Sequence, residues 1–314
     1  MNSIVDNITR EDIISEIQLL LNADIAHKKV VILVEGLDDI KFIRGMCFNI
    51  DNILVIQSYS GKLGVIDIMQ NYTSEKRVIS ILDKDYCNKQ GGEKIFYYDY
   101  CCLEMMLISS EDSFENIFKE YIYLESLSSI EFKEYLLNQL KCFSLLRKIN
   151  EEENLGIEFY RISINDLYKN PILRIEFPED VEVVNINKLA LLYDSELQGE
   201  TSSLEDFKDQ VNKRNKEILI NNKDIETRLD NEYQKKMDMV QLLEITNGHD
   251  FCEMFASVSR LHKRRGVSKN IIESTLRCSY RDSDFYKTKL FKELRDYENR
   301  NKIEMFGKLK EIGI

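Results

Sequence analysis

Residues 30–85 read VVILVEGLDDIKFIRGMCFNIDNILVIQSYSGKLGVIDIMQNYTSEKRVISILDKD. Three apolar runs within this stretch end on polar residues. Val30–Val34 ends at Glu35-Gly36, Ile53–Ile56 at Gln57-Ser58, and Val78–Leu82 at Asp83. Short β-branched runs bounded this way predict strands buried on both faces. The segments between them have helical length and period, and alternating strand and helix predicts a parallel sheet. Chemistry in such sheets sits just beyond the carboxyl ends of the strands. Glu35, Asp83 and Asp85 all lie there, so a divalent metal held by converging carboxylates is expected.

Side chains two apart in an extended segment point the same way, so Asp83 and Asp85 share a side. Adding Glu35 from a neighbouring strand puts three negative charges together, and without a cation at least one would take up a proton. Mg²⁺ or Mn²⁺ resolves this, because hard cations prefer carboxylate oxygens and retained water. Lys62 follows Ser58-Tyr-Ser-Gly61 at an expected helix N-terminus, where free N–H groups and one ammonium would suit a phosphate. The same four residues also read as an ordinary glycine turn beside a solvated lysine. The phosphate-loop pattern GxxxxGK[ST] is missing. Glu104 could be a fourth acidic ligand, or a first-turn Glu favoured by its helix dipole. Asp38 and Asp39 open the first crossover helix, where the dipole accounts for them; Asp39 could also reach the metal through water.

Working outward, Thr9 with Asp12 predicts a capped helix running to about His27, its stripe formed by Ile13, Ile14, Ile17, Leu20 and Leu21. Helices are expected over Leu37–Cys47 and Gly61–Tyr72. A polar loop runs from Asp85 to Glu93, and a fourth strand is expected at Lys94–Tyr98. Asp99 is expected to cap a helix through Cys101–Leu107. Ser113–Ile149 is helical in pattern. A β-like interlude, about residues 155–185, includes Ile157–Ile164, Ile172–Phe177 and Val181–Val184, with Pro171 and Pro178 flanking the middle run. Gln198–Lys236 is polar and charge-dense, which predicts an exposed helical hairpin or a partner-binding arm. Residues 238–314 read as mainly helical. The expected division is an α/β domain over 1–110 and a mostly helical domain over 111–314.

Of 314 residues, 43% are apolar and 31% charged, which describes a globular chain with core enough for two domains. Two prolines, twelve glycines and no Trp favour helix over strand. The first thirty residues hold Asp6, Glu11, Asp12, Glu16 and Asp24 and no leader-like apolar run, and no segment is apolar enough to span a bilayer. Seven cysteines without a CxxC pair predict reduced, mostly buried thiols in a cytoplasmic protein. Net charge is −12, yet Ser257–Arg300 holds twelve Lys and Arg against six Asp and Glu. Within it, Arg260–Arg300 is the candidate nucleic-acid surface, with Lys263, Arg264, Arg265, Arg277 and Arg281 its densest points, unless it is merely a solvated helix face.

With Glu35 after the first strand and Asp83-x-Asp85 after the third, the chain resembles the TOPRIM domain shared by topoisomerases, primases and OLD-family nucleases. The fuller run VEGxDD-x2-F, SGK, LDKDY and Asp99-x4-Glu104 is closer to the stand-alone, OLD-like TOPRIM proteins of the AriB kind, effectors of the PARIS anti-phage systems. Asn247-Gly-His249-Asp250 resembles a short element of those proteins and makes His249 a candidate beside the metal. The resemblance covers about residues 30–106. It implies a Rossmann-like, mainly parallel four-stranded sheet with a helical elaboration. It implies a Mg²⁺-dependent endonuclease in which Glu35, Asp83 and Asp85 bind the ion, Glu104 helps hold a second one, and Lys62 stabilises the scissile phosphate. It further implies a toxin held by an ATPase partner and freed on infection to cleave RNA, tRNA in particular, with a homodimer as its expected self-association. No topoisomerase tyrosine can be assigned, and strand-passage or primase modules do not fit in 314 residues. The alternatives are a DNA endonuclease or nickase of the OLD type, and a non-catalytic TOPRIM subunit of an ATPase complex.

Overall fold

The structure, a computed structural model, describes residues 8–86, 92–122, 128–159, 200–215, 217–261 and 266–307. Contacts divide the chain into two compact units: Met1–Leu103 with Tyr280–Ile314, and Glu104–Ser279. The units do not follow a single cut in the chain, because the C-terminal segment returns to the sheet.

The first unit is mixed α/β. Helix α1 (Arg10–Ala23) precedes strand β1 (Val30–Val34), then α2 (Leu37–Gly45), β2 (Ile53–Gln57), α3 (Gly61–Met69), β3 (Val78–Leu82) and β4 (Ile95–Tyr97). The four strands form an all-parallel sheet in the order β2-β1-β3-β4. The two central strands, VVILV and VISIL, are buried at every position, whereas edge strands β2 and β4 are only partly so. That difference is why the central runs are apolar throughout. On one face Val31, Leu33, Val78 and Leu82 pack against Ile13, Ile17 and Leu21 of α1 and Val65, Ile68 and Met69 of α3. Thr9 and Asp12 form a reciprocal capping box at the start of α1. Across α2 the packing is aromatic. Phe42 meets Tyr98 and Phe285 edge-on, with centroids 5.8 and 5.7 Å apart, and Phe48 lies 4.8 Å from Phe306. Phe48 and Phe306 also form an antiparallel bridge. Residues 280–307 therefore complete the apolar cover of the first unit, and Tyr297 packs edge-on against Phe96 of β4.

The second unit is helical in its described residues. It comprises α4 (Leu103–Ser109, whose first residue belongs to the sheet unit), α5 (Glu111–Tyr121), α6 (Ser129–Glu153), α7 (Glu200–Arg214), α8 (Lys223–Gln234), α9 (Met239–Ile245), α10 (Gly248–Leu261) and α11 (Lys269–Ser279). The 25-residue α6 starts at a Ser128–Glu131 capping box and ends at Asn154 in the left-handed region. Around it Phe114, Phe118, Phe132 and Phe255 form a chain of edge-on and tilted pairs. The charge-dense stretch expected to be an exposed arm is instead packed: Leu204, Phe207, Val211 and Leu229 are buried, and Phe207 meets Phe143 of α6. Lys208, 3% exposed, bridges α7 to Glu226 and Asp230 of α8. The expected strands over Ile172–Phe177 and Val181–Val184 lie outside the described residues, as do Lys263, Arg264 and Arg265. Short helices α12 (Asp282–Phe285) and α13 (Lys289–Asn301) belong to the sheet unit. Among the described residues, no helix is long and apolar enough to cross a membrane.

Candidate functional site

Strand order fixes where the sheet can hold a ligand. From β1 the chain steps to β2 on one side, then crosses back to β3 on the other. The reversal falls between β1 and β3, and open α/β sheets bind ligands at the carboxyl ends of the strands that flank such a reversal. Glu35 follows β1 and Asp83 follows β3. The Asp83 N–H donates to Glu35 Oε1 at 2.9 Å, so the two ends are tied through the glutamate itself. Asp83 Oδ1 in turn accepts the Leu103 N–H at 2.9 Å. Asp85 sits in the left-handed region at φ 50°, held by its N–H to the Cys101 carbonyl at 2.7 Å. A non-glycine residue kept in that conformation at a sheet end carries strain of the kind that gathers at functional sites.

Lys62 reaches the same strand ends from α3. Its Nζ donates to Asp85 Oδ2 at 2.7 Å and to the Asp83 carbonyl at 2.9 Å. The turn before it explains the placement. Gly61 is at φ 51°, and Gly64 comes so close to Ser58 Oγ that a Cβ there would lie 3.1 Å away. Asp39 is occupied otherwise: Oδ2 accepts the Gly36 N–H at 2.8 Å and Oδ1 the Tyr98 hydroxyl at 2.8 Å. It fixes the turn that presents Glu35. Burial raises the Glu35 carboxyl to about 7, opposed by the Asp83 N–H and reinforced by the charges of Asp85 and Asp39. Carboxylates of this kind suit a hard divalent cation, but the oxygens of Glu35, Asp83 and Asp85 do not all come within 4.8 Å of one another, so the expected convergence is incomplete: Asp83 is turned to the Leu103 N–H and Asp85 to Lys62.

Compared with models of known protein families and with curated proteins, the chain matches none.

A second grouping lies in the helical unit. Glu104 of α4, His249 of α10 and Glu273 of α11 have ligand atoms that all lie within 4.8 Å of one another, the one such set among the described residues. His249 Nδ1 is 2.6 Å from Glu273 Oε1. The hydrogen bond to Glu273 raises the His249 pKa, and the Glu104 charge adds to it. The sequence predicts Glu104 as a ligand alongside Glu35, Asp83 and Asp85, and His249 beside that metal; the structure groups these two with each other and with Glu273. Glu273 was missed, because a single Glu in the amphipathic run Ile271-Ile-Glu-Ser-Thr-Leu276 gives no local sign of function. The adjacent Asp250 is bound bidentately by Arg147, at 2.5 and 2.8 Å.

Asp99 does not cap the helix that follows it. Its carboxylate accepts the N–H groups of Lys289 and Leu290 at 2.8 and 2.9 Å, at the start of α13. Of the basic residues, Arg277 is half-buried in the last turn of α11 and Arg281 is exposed before α12, so the two belong to different compact units. Among the described cysteines, Cys101, Cys102, Cys142 and Cys252 are buried and Cys278 is exposed.

Proposed function

We propose that this chain is a metal-dependent nuclease of the TOPRIM kind. Its fold is Rossmann-like, its substrate is RNA with tRNA foremost, and it acts as a toxic effector of anti-phage defence restrained by an ATPase partner. One observation supports the nuclease above all. Glu35 and Asp83 stand at the two strand ends that flank the reversal of an all-parallel sheet, with Asp85 and Lys62 beside them. The RNA substrate, the defence role and the ATPase partner rest on the sequence resemblance alone.

Glu35, Asp83 and Asp85 would hold Mg²⁺ or Mn²⁺. When bound, such an ion neutralises phosphate charge and makes a water molecule more acidic. The residues of the chain do the rest. The Asp83 N–H and the α2 turn orient Glu35. Lys62 exchanges its contacts to Asp85 and the Asp83 carbonyl for a phosphate oxygen, a compact ammonium suited to a single anion. Asp39 and Tyr98 keep the Glu35-Gly36 turn from relaxing.

The test is to incubate the full chain with Mg²⁺ or Mn²⁺ and, separately, total tRNA, plasmid and single-stranded DNA, beside Glu35→Gln. Cleavage of tRNA by wild type alone is the expected result. Cleavage confined to plasmid would move the substrate to DNA. Cleavage of nothing, or equal cleavage by both proteins, would remove the nuclease assignment.

A further inference from the structure

We propose that Glu104, His249 and Glu273 form a site for a transition-metal dication of the zinc class, separate in composition from the all-carboxylate set at the sheet end. The three side chains come from three different helices of one compact unit, α4, α10 and α11. Glu104 and Glu273 are 5% and 4% exposed. Two carboxylates are thus taken out of water side by side, a costly arrangement unless a cation compensates them. Lys269 and Arg277 act on the same pocket as Glu104 and Glu273 and offset part of their charge; a divalent ion bound directly by the donor atoms would offset the rest.

The geometry is already close. Tetrahedral ligands about 2.0–2.2 Å from one ion lie about 3.3–3.6 Å apart; the three donor atoms here fall within 4.8 Å, with His249 Nδ1 and Glu273 Oε1 at 2.6 Å, so side-chain shifts of about 1 Å would seat an ion. The ion would take the place of the proton now shared between His249 Nδ1 and Glu273 Oε1. His249, with 55% of its side chain exposed, opens the site to solvent and gives the ion a path in. Three protein ligands with an open side also leave a position for water. Identity follows from the donors. Imidazole favours zinc, nickel and copper, whereas Mg²⁺ seeks an all-oxygen octahedron and keeps its waters. Asn247 holds the histidine's backbone, its Oδ1 accepting the N–H groups of His249 and Asp250 at 3.0 and 3.2 Å.

The experiment uses the full chain without an affinity tag. Chelator-stripped protein is loaded with Zn²⁺, desalted and assayed for retained metal, then loaded with Co²⁺ for its visible spectrum. Wild type, His249→Ala, Glu273→Gln and Glu35→Gln are compared, with circular dichroism as the check of folding. Wild type and Glu35→Gln should each retain about one zinc per chain, show a cobalt band and gain thermal stability on loading. His249→Ala and Glu273→Gln should lose the band and bind zinc at least about tenfold more weakly. His249 is largely exposed and Glu273→Gln keeps its shape, so at least one of the two variants reports on a folded protein. Wild type without retained zinc would overturn the proposal. So would retention unchanged in His249→Ala and Glu273→Gln, or retention lost in Glu35→Gln alone. None of these results depends on nuclease activity.

Discussion

Glu35 carries a conflict between burial and charge. Its carboxyl titrates near 7 in the folded chain, against the usual carboxylate range when unfolded. Between those two values the folded chain holds a proton that the unfolded chain has shed. Rising pH therefore favours unfolding through this window, and the whole penalty, at most about 3 kcal/mol, is present above 7. Glu35→Gln removes the charge and keeps an oxygen for the Asp83 N–H. In metal-free buffer its melting temperature should fall less between pH 5 and pH 8 than that of wild type. Mg²⁺ should raise the wild-type melting temperature at pH 8 and leave the variant unmoved. Parallel pH profiles for the two proteins would contradict this account of the residue. The positions of Glu35, Asp83 and Asp85 just past strand ends were legible in the sequence because each follows the end of an apolar run. Glu273 was not, because its partners lie about 170 and 24 residues away and only packing of α4, α10 and α11 assembles them.

At the scale of elements, caps and pairs show where local reading succeeds and where it stops. Thr9 and Asp12 cap α1 through neighbours three residues apart, and the sequence predicts it. Asp99 caps α13 across 190 residues of chain, and no local pattern could say so. Asp99→Ala should leave two helix N–H groups without their acceptor and lower stability by about 1–2 kcal/mol, measured by urea unfolding. No change in the urea midpoint would show that the cap contributes nothing. In the helical unit, Arg147 grips Asp250 while lying 4.3 Å from the centroid of the Phe159 ring. Arg147→Met would strand a buried carboxylate and should cost about 3 kcal/mol, more than a surface pair would. The strands were the easiest elements to read, since burial on both faces forces β1 and β3 to be apolar at nearly every position. The return of residues 280–307 to cover Phe42 and Phe48 was not readable, because aromatic side chains name no partner.

For the whole molecule, the division into two units separates residues that the sequence places in one basic run. Arg277 falls in the helical unit and Arg281 in the sheet unit. A chain of net charge −12 that binds RNA must do so through local positive charge, so tRNA binding to Glu35→Gln should weaken about a hundredfold between 50 and 200 mM salt. A flat response would exclude a phosphate-tracking surface. The claim on which the account depends is that the carboxylates at the reversal of the sheet run metal-dependent cleavage. Its most direct measurement is the initial rate of tRNA cleavage by the full chain across a Mg²⁺ titration, for wild type, Glu35→Gln and Asp83→Asn. The rate should rise to saturation with Mg²⁺ in wild type, vanish in chelator, and fall at least about a hundredfold in each variant. A wild-type rate that survives chelation, or that both variants match, would contradict it.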